Sequence, residues 1–346
     1  MRAFFAARPA LAPTPARTLP ALARHLGIAA LTAKDESGRF GLNAFKLLGA
    51  RFAIETLLAE AQLRPGDTVA CASEGNHGRA VARAAREAGC PARVYMAHDA
   101  APARAHAIAG EGAEVIRVDG SYDDAVRILQ QDAAAYGWTI VSDTAWPGYE
   151  RIPYLIMLGY TRMMDEVRDQ GSAIGDQGEP THVFVQGGVG GLLCAVASWC
   201  AFHRPAWKVI SVEPTDAACL KASAEAGRPV AVHGPLTTSM AGLRNREVSP
   251  PAFRSLLPNV DLFMAIGDGW AHEAMRSLAH PQHEDPAIAA GASGAAALGG
   301  LLALCRDDSL QAARRTLGVG AASHALTIVS EGVTDPELWA SVTAAR

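Results

Sequence analysis

The sequence predicts an α/β protein built on two open, twisted, mainly parallel sheets with flanking helices. Three observations carry that expectation. Short apolar, β-branched runs alternate with Ala-rich stretches of helical period, the signature of βαβ units. The chain has 346 residues, beyond the size at which one core stops growing, so two domains are expected. Glycine-rich turns come directly after two of the expected strands, as they do where a strand hands over to a helix.

Taken in order, the first well-marked element is a helix at Leu47–Ala59, directly after the segment DESGRFGLNAFK. The next stretch opens with Arg64-Pro65-Gly66-Asp67 and closes at Pro147-Gly148. Inside it, strands at Thr68–Ala72, Ala92–Met96, Glu114–Val118 and Thr139–Ser142 alternate with helices at His77–Ala88, Ala103–Ala109 and Asp123–Ala135. Residues 63–143 therefore read as a small inserted domain, and residues 1–62 with 144–346 as a larger one. The larger part carries strands at Val183–Gln186, Lys208–Val212, Leu262–Ile266 and Leu326–Val329. Its helices are expected at Ile152–Asp169, Gly191–Phe202, Thr215–Glu225 and Gly269–Leu278, with loops at Gly171–Pro180, Gly227–Gly242 and Pro281–Asp285.

Composition narrows the function. With 49% hydrophobic and 19% charged residues, the chain is too apolar for disorder. A net charge of −4 without a Lys/Arg cluster offers no footprint for nucleic acid, which leaves small ligands as partners. The six cysteines lack metal-site spacing and read as free thiols in a reducing compartment, so no metal is expected. Prolines break the N-terminal stretch early, and no run approaches the roughly 20 apolar residues of a bilayer span. A cytoplasmic protein without a membrane partner is expected.

Two turns and one lysine carry the chemistry. Ser73-Glu74-Gly75-Asn76-His77-Gly78 ends one strand and opens a helix, where backbone N–H groups favour an anion. Gln186-Gly187-Gly188-Val189-Gly190-Gly191 does the same, with glycines that let a phosphate approach the backbone. Tight packing without a ligand would also account for either turn. A dinucleotide site ranks second, because QGGVGG lacks the G-x-G-x-x-G spacing, although Glu213 stands near the expected ribose-binding acid. Only four of the 31 basic residues are lysine. One of them, Lys46, sits among Phe45, Leu47 and Leu48 at a helix start. Partial desolvation there favours the neutral amine that Schiff-base chemistry needs, whereas an ordinary lysine would lay its stem on those neighbours.

The motifs KDESGRFGLNAFKLLGA, SEGNHGRAVA, YDDAV, SDTAWPGYERIP, QGGVGG and SMAGL occur in one order from about Asp35 onward. In this the chain resembles the diaminopropionate ammonia-lyase family of fold-type-II pyridoxal-phosphate enzymes, the group of threonine dehydratase and the tryptophan synthase β chain. The resemblance implies pyridoxal 5′-phosphate as cofactor, held in a cleft between the domains of a homodimeric enzyme. It implies that Lys46 forms the Schiff base and that Asn76 bonds the pyridoxal 3′-oxygen. Gly187, Gly188, Val189, Gly190 and Gly191 would form the phosphate loop, and the neutral hydroxyl of Ser330 would face the pyridine nitrogen. The backbone around Ser73, Gly75, Asn76 and His77 would bind the substrate carboxylate. Asp143 matches one family acid that removes the Cα proton, and Glu74 stands where the second acid is an Asp. The implied reaction is α,β-elimination from a 2,3-diaminopropionate-like amino acid to a 2-oxo acid such as pyruvate plus ammonia.

Departures point to the alternatives. After SMAGL the chain reads Arg244-Asn245-Arg246-Glu247 where the family has Cys-Gly-Glu-Pro, and Ala292 replaces an acidic residue. A more positive site, with Arg244 near the substrate, would suit a dehydratase of hydroxy amino acids or a lyase for an acidic substrate.

Overall fold

In the computed structural model, residues 4–5, 12–73, 75–171 and 178–344 are described. Ten strands are found among them: β1 (Ala16–Thr18), β2 (Ala30–Asp35), β3 (Val69–Ala72), β4 (Ala92–Ala97) and β5 (Ala113–Val118), then β6 (Thr139–Ile140), β7 (His182–Gln186), β8 (Lys208–Pro214), β9 (Leu262–Ile266) and β10 (His324–Val329). They form two sheets, ordered β1-β2-β10-β7-β8-β9 and β5-β4-β3-β6. Every pairing is parallel except that of β1 with β2. The expected α/β fold of two mainly parallel sheets is what the chain adopts.

The chain divides into two compact units, one holding Phe45–Tyr160 and the other Pro9–Ala44 with Thr161–Arg346. The first is wider than the 63–143 segment expected from the sequence, because it takes in helices at Leu47–Ala59 and Arg151–Tyr160. Glycine explains that pairing. A Cβ on Gly159 would lie 2.6 Å from the Leu48 carbonyl oxygen, and one on Gly49 would lie 2.7 Å from Ile156. The two helices touch backbone to backbone at this point. The single helix expected over Ile152–Asp169 is interrupted, and Arg162–Asp169 belongs to the second unit.

In the second unit the long helix Ala292–Arg306 is buried from Ala292 through Leu304. Its sequence, ASGAAALGGLLALCR, has no polar face, so it lacks the amphipathic period by which a helix is recognised. The strand β2 likewise escapes sequence reading, since Lys34 and Asp35 interrupt a fully buried run. Lys34 is tolerated because the Glu166 carboxylate lies 2.6 Å from its ammonium. Arg39 joins them, donating to Glu36 over 2.8 Å and to Glu166 over 2.5 Å. Two positive and two negative side chains, all fully buried, thus compensate one another.

Among the described residues, no helix is long and apolar enough to cross a membrane, and no group of three or more His, Cys, Asp or Glu residues is arranged to hold a metal ion.

Candidate active site

The approach to Lys46 is bent by left-handed backbone at Phe40 (φ 55°) and Asn43 (φ 57°). Asn accepts this conformation readily; a bulky Phe does so rarely and stores strain a few residues before Lys46. Lys46 then caps the helix Leu47–Ala59. Its neighbours Phe45, Leu47 and Leu48 are buried, which fixes the stem. The ammonium lies 5.2 Å from the Phe45 ring centre and 5.9 Å from that of Tyr160, over faces that attract a cation.

Lys46 Nζ donates to Asp143 Oδ2 over 2.6 Å. Residues on both sides of Asp143 hold it in place. The Tyr149 hydroxyl accepts from the Ser142 amide (2.8 Å) and donates to the Ile140 carbonyl (3.0 Å), so one phenol pins the backbone just before the carboxylate. The ring that carries it stacks on Trp146 at 4.1 Å, across the turn at Pro147-Gly148. This accounts physically for the segment DTAWPGY. Burial alone would push the Asp143 carboxyl up, but His77 and the Lys46 ammonium hold it well below the usual carboxylate range. Burial pushes the His77 imidazole down, which favours its neutral form.

The Ser73–Gly78 turn does open a helix, Asn76–Glu87, with Gly75 as its cap and Asn76 as its first residue. Ser73 Oγ accepts from the amides of Gly78 (2.9 Å) and Gly75 (3.3 Å), so its hydroxyl serves the turn itself. Glu74 lies outside the described residues. His77 turns its ring inward, with Nε2 2.9 Å from the Val141 carbonyl oxygen and Nδ1 3.7 Å from Asp143 Oδ2. Lys46, Asp143, His77, Ser73, Gly75 and Asn76 all belong to the unit Phe45–Tyr160.

The glycine loop lies in the other unit. Gly190, at φ 100°, caps the helix Gly191–His203, whose first amides have no helical partner. A Cβ on Gly188 would lie 2.6 Å from the side-chain nitrogen Nδ2 of Asn245, so any larger residue there would have to push the Asn245 side chain aside. Val189 is tied by its carbonyl to the Ser249 amide at 2.8 Å. A rigid glycine cradle opening a long helix fits a phosphate group. At the end of β7, Gln186 Nε2 sits among the carbonyl oxygens of Ser293 (3.2 Å) and Ile328 (3.1 Å), which identifies it as the donor end of the amide. It also donates to Ser330 Oγ over 2.5 Å, leaving the buried Ser330 hydroxyl proton available for an acceptor such as a pyridine nitrogen. Gln186, Asn245, Tyr149 and Tyr160 are contacts that the sequence did not reveal. Tyr149 lies in the motif SDTAWPGYERIP, which is the signal that could have found it.

One sequence expectation changes here. Glu213 accepts from the amides of Leu220 and Lys221, both at 2.7 Å, and is fully buried, so it caps its own chain and cannot hold a ribose. The dinucleotide reading loses its acid. Arg244 is exposed, and its Nε donates to the Thr238 carbonyl at 2.7 Å. Ala292 is the buried first residue of the long helix.

Parallel α/β units, a lysine paired with a carboxylate at a helix start and a glycine cradle opening another helix define a fold-type-II pyridoxal-phosphate enzyme. Comparison with known proteins agrees, since the family described as pyridoxal-phosphate dependent enzyme matches residues 7–319. The chain belongs to this family and, within it, to the diaminopropionate ammonia-lyases. It is 38% identical to the diaminopropionate ammonia-lyase of Escherichia coli K12, over 95% of this chain and 87% of that protein. To the Salmonella typhimurium LT2 enzyme the figures are 36%, 98% and 90%. A solved Escherichia coli structure, in complex with an aminoacrylate-PLP azomethine reaction intermediate, superimposes with a TM-score of 0.88 at 37% identity, covering 96% of this chain and 87% of that one. The cofactor is pyridoxal 5′-phosphate.

Proposed function

We propose that this enzyme carries out α,β-elimination on 2,3-diaminopropionate or a close analogue, consuming one water and yielding pyruvate and two molecules of ammonia. The observation that carries this reading is the Lys46–Asp143 pair at 2.6 Å, in a chain 38% identical to a diaminopropionate ammonia-lyase. When bound, pyridoxal phosphate supplies the electron sink for charge left on the substrate's Cα. The protein provides the rest. Lys46 carries the cofactor. The Gly187–Gly191 loop holds its phosphate, Asn76 its 3′-oxygen and Ser330, aligned by Gln186, its ring nitrogen. A neutral hydroxyl at that nitrogen adds no charge to it, which keeps the sink moderate and suits elimination.

Asp143, ionised, takes the Cα proton. Lys46, within hydrogen-bond reach of that carboxylate, donates a proton to the departing β-amine. The turn at Ser73, Gly75, Asn76 and His77 receives the substrate carboxylate, and Glu74 acts as the second acid. Arg244 contributes positive charge at the substrate side. The same reading takes the enzyme as a cytoplasmic homodimer acting on a free amino acid, in line with the family resemblance.

Steady-state assay of the holoenzyme tests the substrate. Pyruvate and ammonia are expected from 2,3-diaminopropionate with kcat/KM roughly 100-fold or more above that for serine. A preference for serine, threonine or an acidic β-substituted amino acid would transfer the assignment to a dehydratase or acidic-substrate lyase.

A further inference from the structure

The His77 side chain has no part in the proposed reaction, which uses only its backbone. Yet it is only 5% exposed, and it is aimed at the proposed base. Its Nε2 faces a carbonyl oxygen, that of Val141, at 2.9 Å. A carbonyl only accepts, so Nε2 bears the ring hydrogen. In the neutral ring Nδ1 is then a bare lone pair. That atom is buried and makes no hydrogen bond. Its charged neighbour is Asp143 Oδ2 at 3.7 Å, an oxygen already taken by Lys46 Nζ. Two acceptors therefore face each other across a gap that is wider than a hydrogen bond and has no proton in it.

Such an arrangement is unfavourable while Asp143 is ionised and favourable once it is protonated. We infer that His77 is a positioning residue for Asp143, whose Nδ1 accepts a hydrogen bond from the carboxyl after it has taken the Cα proton. The inference rests on Asp143 being the base. In the step concerned, the substrate C–H bond breaks, the electron pair stays with carbon, and the proton goes to Oδ2. The new O–H then points at Nδ1, and the gap closes to hydrogen-bond length. Lys46 is freed from Oδ2 in the same event, and its proton becomes available to the leaving group. Among the described residues, the charges acting on the ring are Asp143 and Lys46. The other titratable groups around the carboxylate, Cys71, Tyr149 and Tyr160, are kept protonated and neutral by burial.

Two substitutions separate this role from a structural one. His77→Gln keeps a donor for Val141 and loses the acceptor at Nδ1; His77→Asn keeps an acceptor near Nδ1 and loses the Val141 bond. With the holoenzyme, His77→Gln is expected to lower kcat about tenfold with KM little changed and to move the acidic limb of the kcat profile, while His77→Asn retains more activity. The reverse ranking, or an unshifted profile in His77→Gln, would mean that the ring only braces Val141. The ¹⁵N spectrum of wild-type histidines, with His77 assigned by its absence in a variant, gives a readout independent of turnover. It should show Nε2 protonated and Nδ1 bare; a protonated Nδ1 at neutral pH overturns the inference even where a variant fails to fold. Asp143→Asn separates the two levels. If it stays active, the base assignment has failed, and if it is inactive while His77→Gln behaves as wild type, only the His77 inference has.

Discussion

At the scale of single residues, the site depends on which charges are compensated. Asp143 stays ionised because an ammonium stands 2.6 Å away, against a burial that would otherwise protonate it. Asp143→Asn should therefore lower kcat by about 10²- to 10⁴-fold, the range that a positioned base contributes. The same ion pair has a consequence for stability. A carboxyl with a depressed folded-state value contributes stability that is fully present above its ordinary value of 3.8 and is lost as pH falls through the depressed one. Melting of the cofactor-free protein checks the sign: the Tm gap between wild type and Asp143→Asn should be full at pH 6 to 7 and should close toward acid. A gap that widens in acid would contradict the pairing.

At the scale of elements, what orients Lys46 is a helix contact made of glycine. Gly49 lies three residues beyond Lys46, and the helix Arg151–Tyr160 meets it through Gly159. There is no room for a methyl group, since a Cβ on Gly159 would stand 2.8 Å from the Gly49 Cα. Gly159→Ala should thus destabilise the protein by about 1–3 kcal/mol, as overpacking does, and should also lower kcat by displacing the start of the Lys46 helix. Thermal melts and turnover measured together check this, and an unchanged melt would show that the helices separate freely. This contact was not legible in the sequence. A glycine in a helix reads as a local weakness, and nothing local says that its empty side faces another glycine far along the chain. The turns were legible for the opposite reason. A strand, a glycine run and a helix start adjoin in the chain, so Ser73–Gly78 and Gly187–Gly191 announce themselves. What escaped was β2, where Lys34 and Asp35 look solvated until Glu166 supplies a remote countercharge, and the Ala292–Arg306 helix, which is buried on all sides.

At the scale of the whole molecule, the chemistry was more legible than the partition into units. Alternating strands and helices indicated two parallel sheets, and both exist. Turns visible in the sequence suggest domain limits near residues 63 and 143, whereas the compact units follow helix packing that joins distant segments. The count of lysines allows the central claim to be tested across the entire chain. Lys34 is fully buried in its ion cluster, and Lys221 pairs with Glu225 at 2.5 Å on the surface. Lys208 stands 3.8 Å from Asp261. Among the described residues, only Lys46 combines a partly buried amine, aromatic walls and an adjacent carboxylate. Reduction of the holoenzyme with borohydride fixes the cofactor to its lysine, and peptide mass spectrometry then locates it. The label is expected on Lys46 alone, and its appearance on Lys34, Lys208 or Lys221 instead would contradict the assignment.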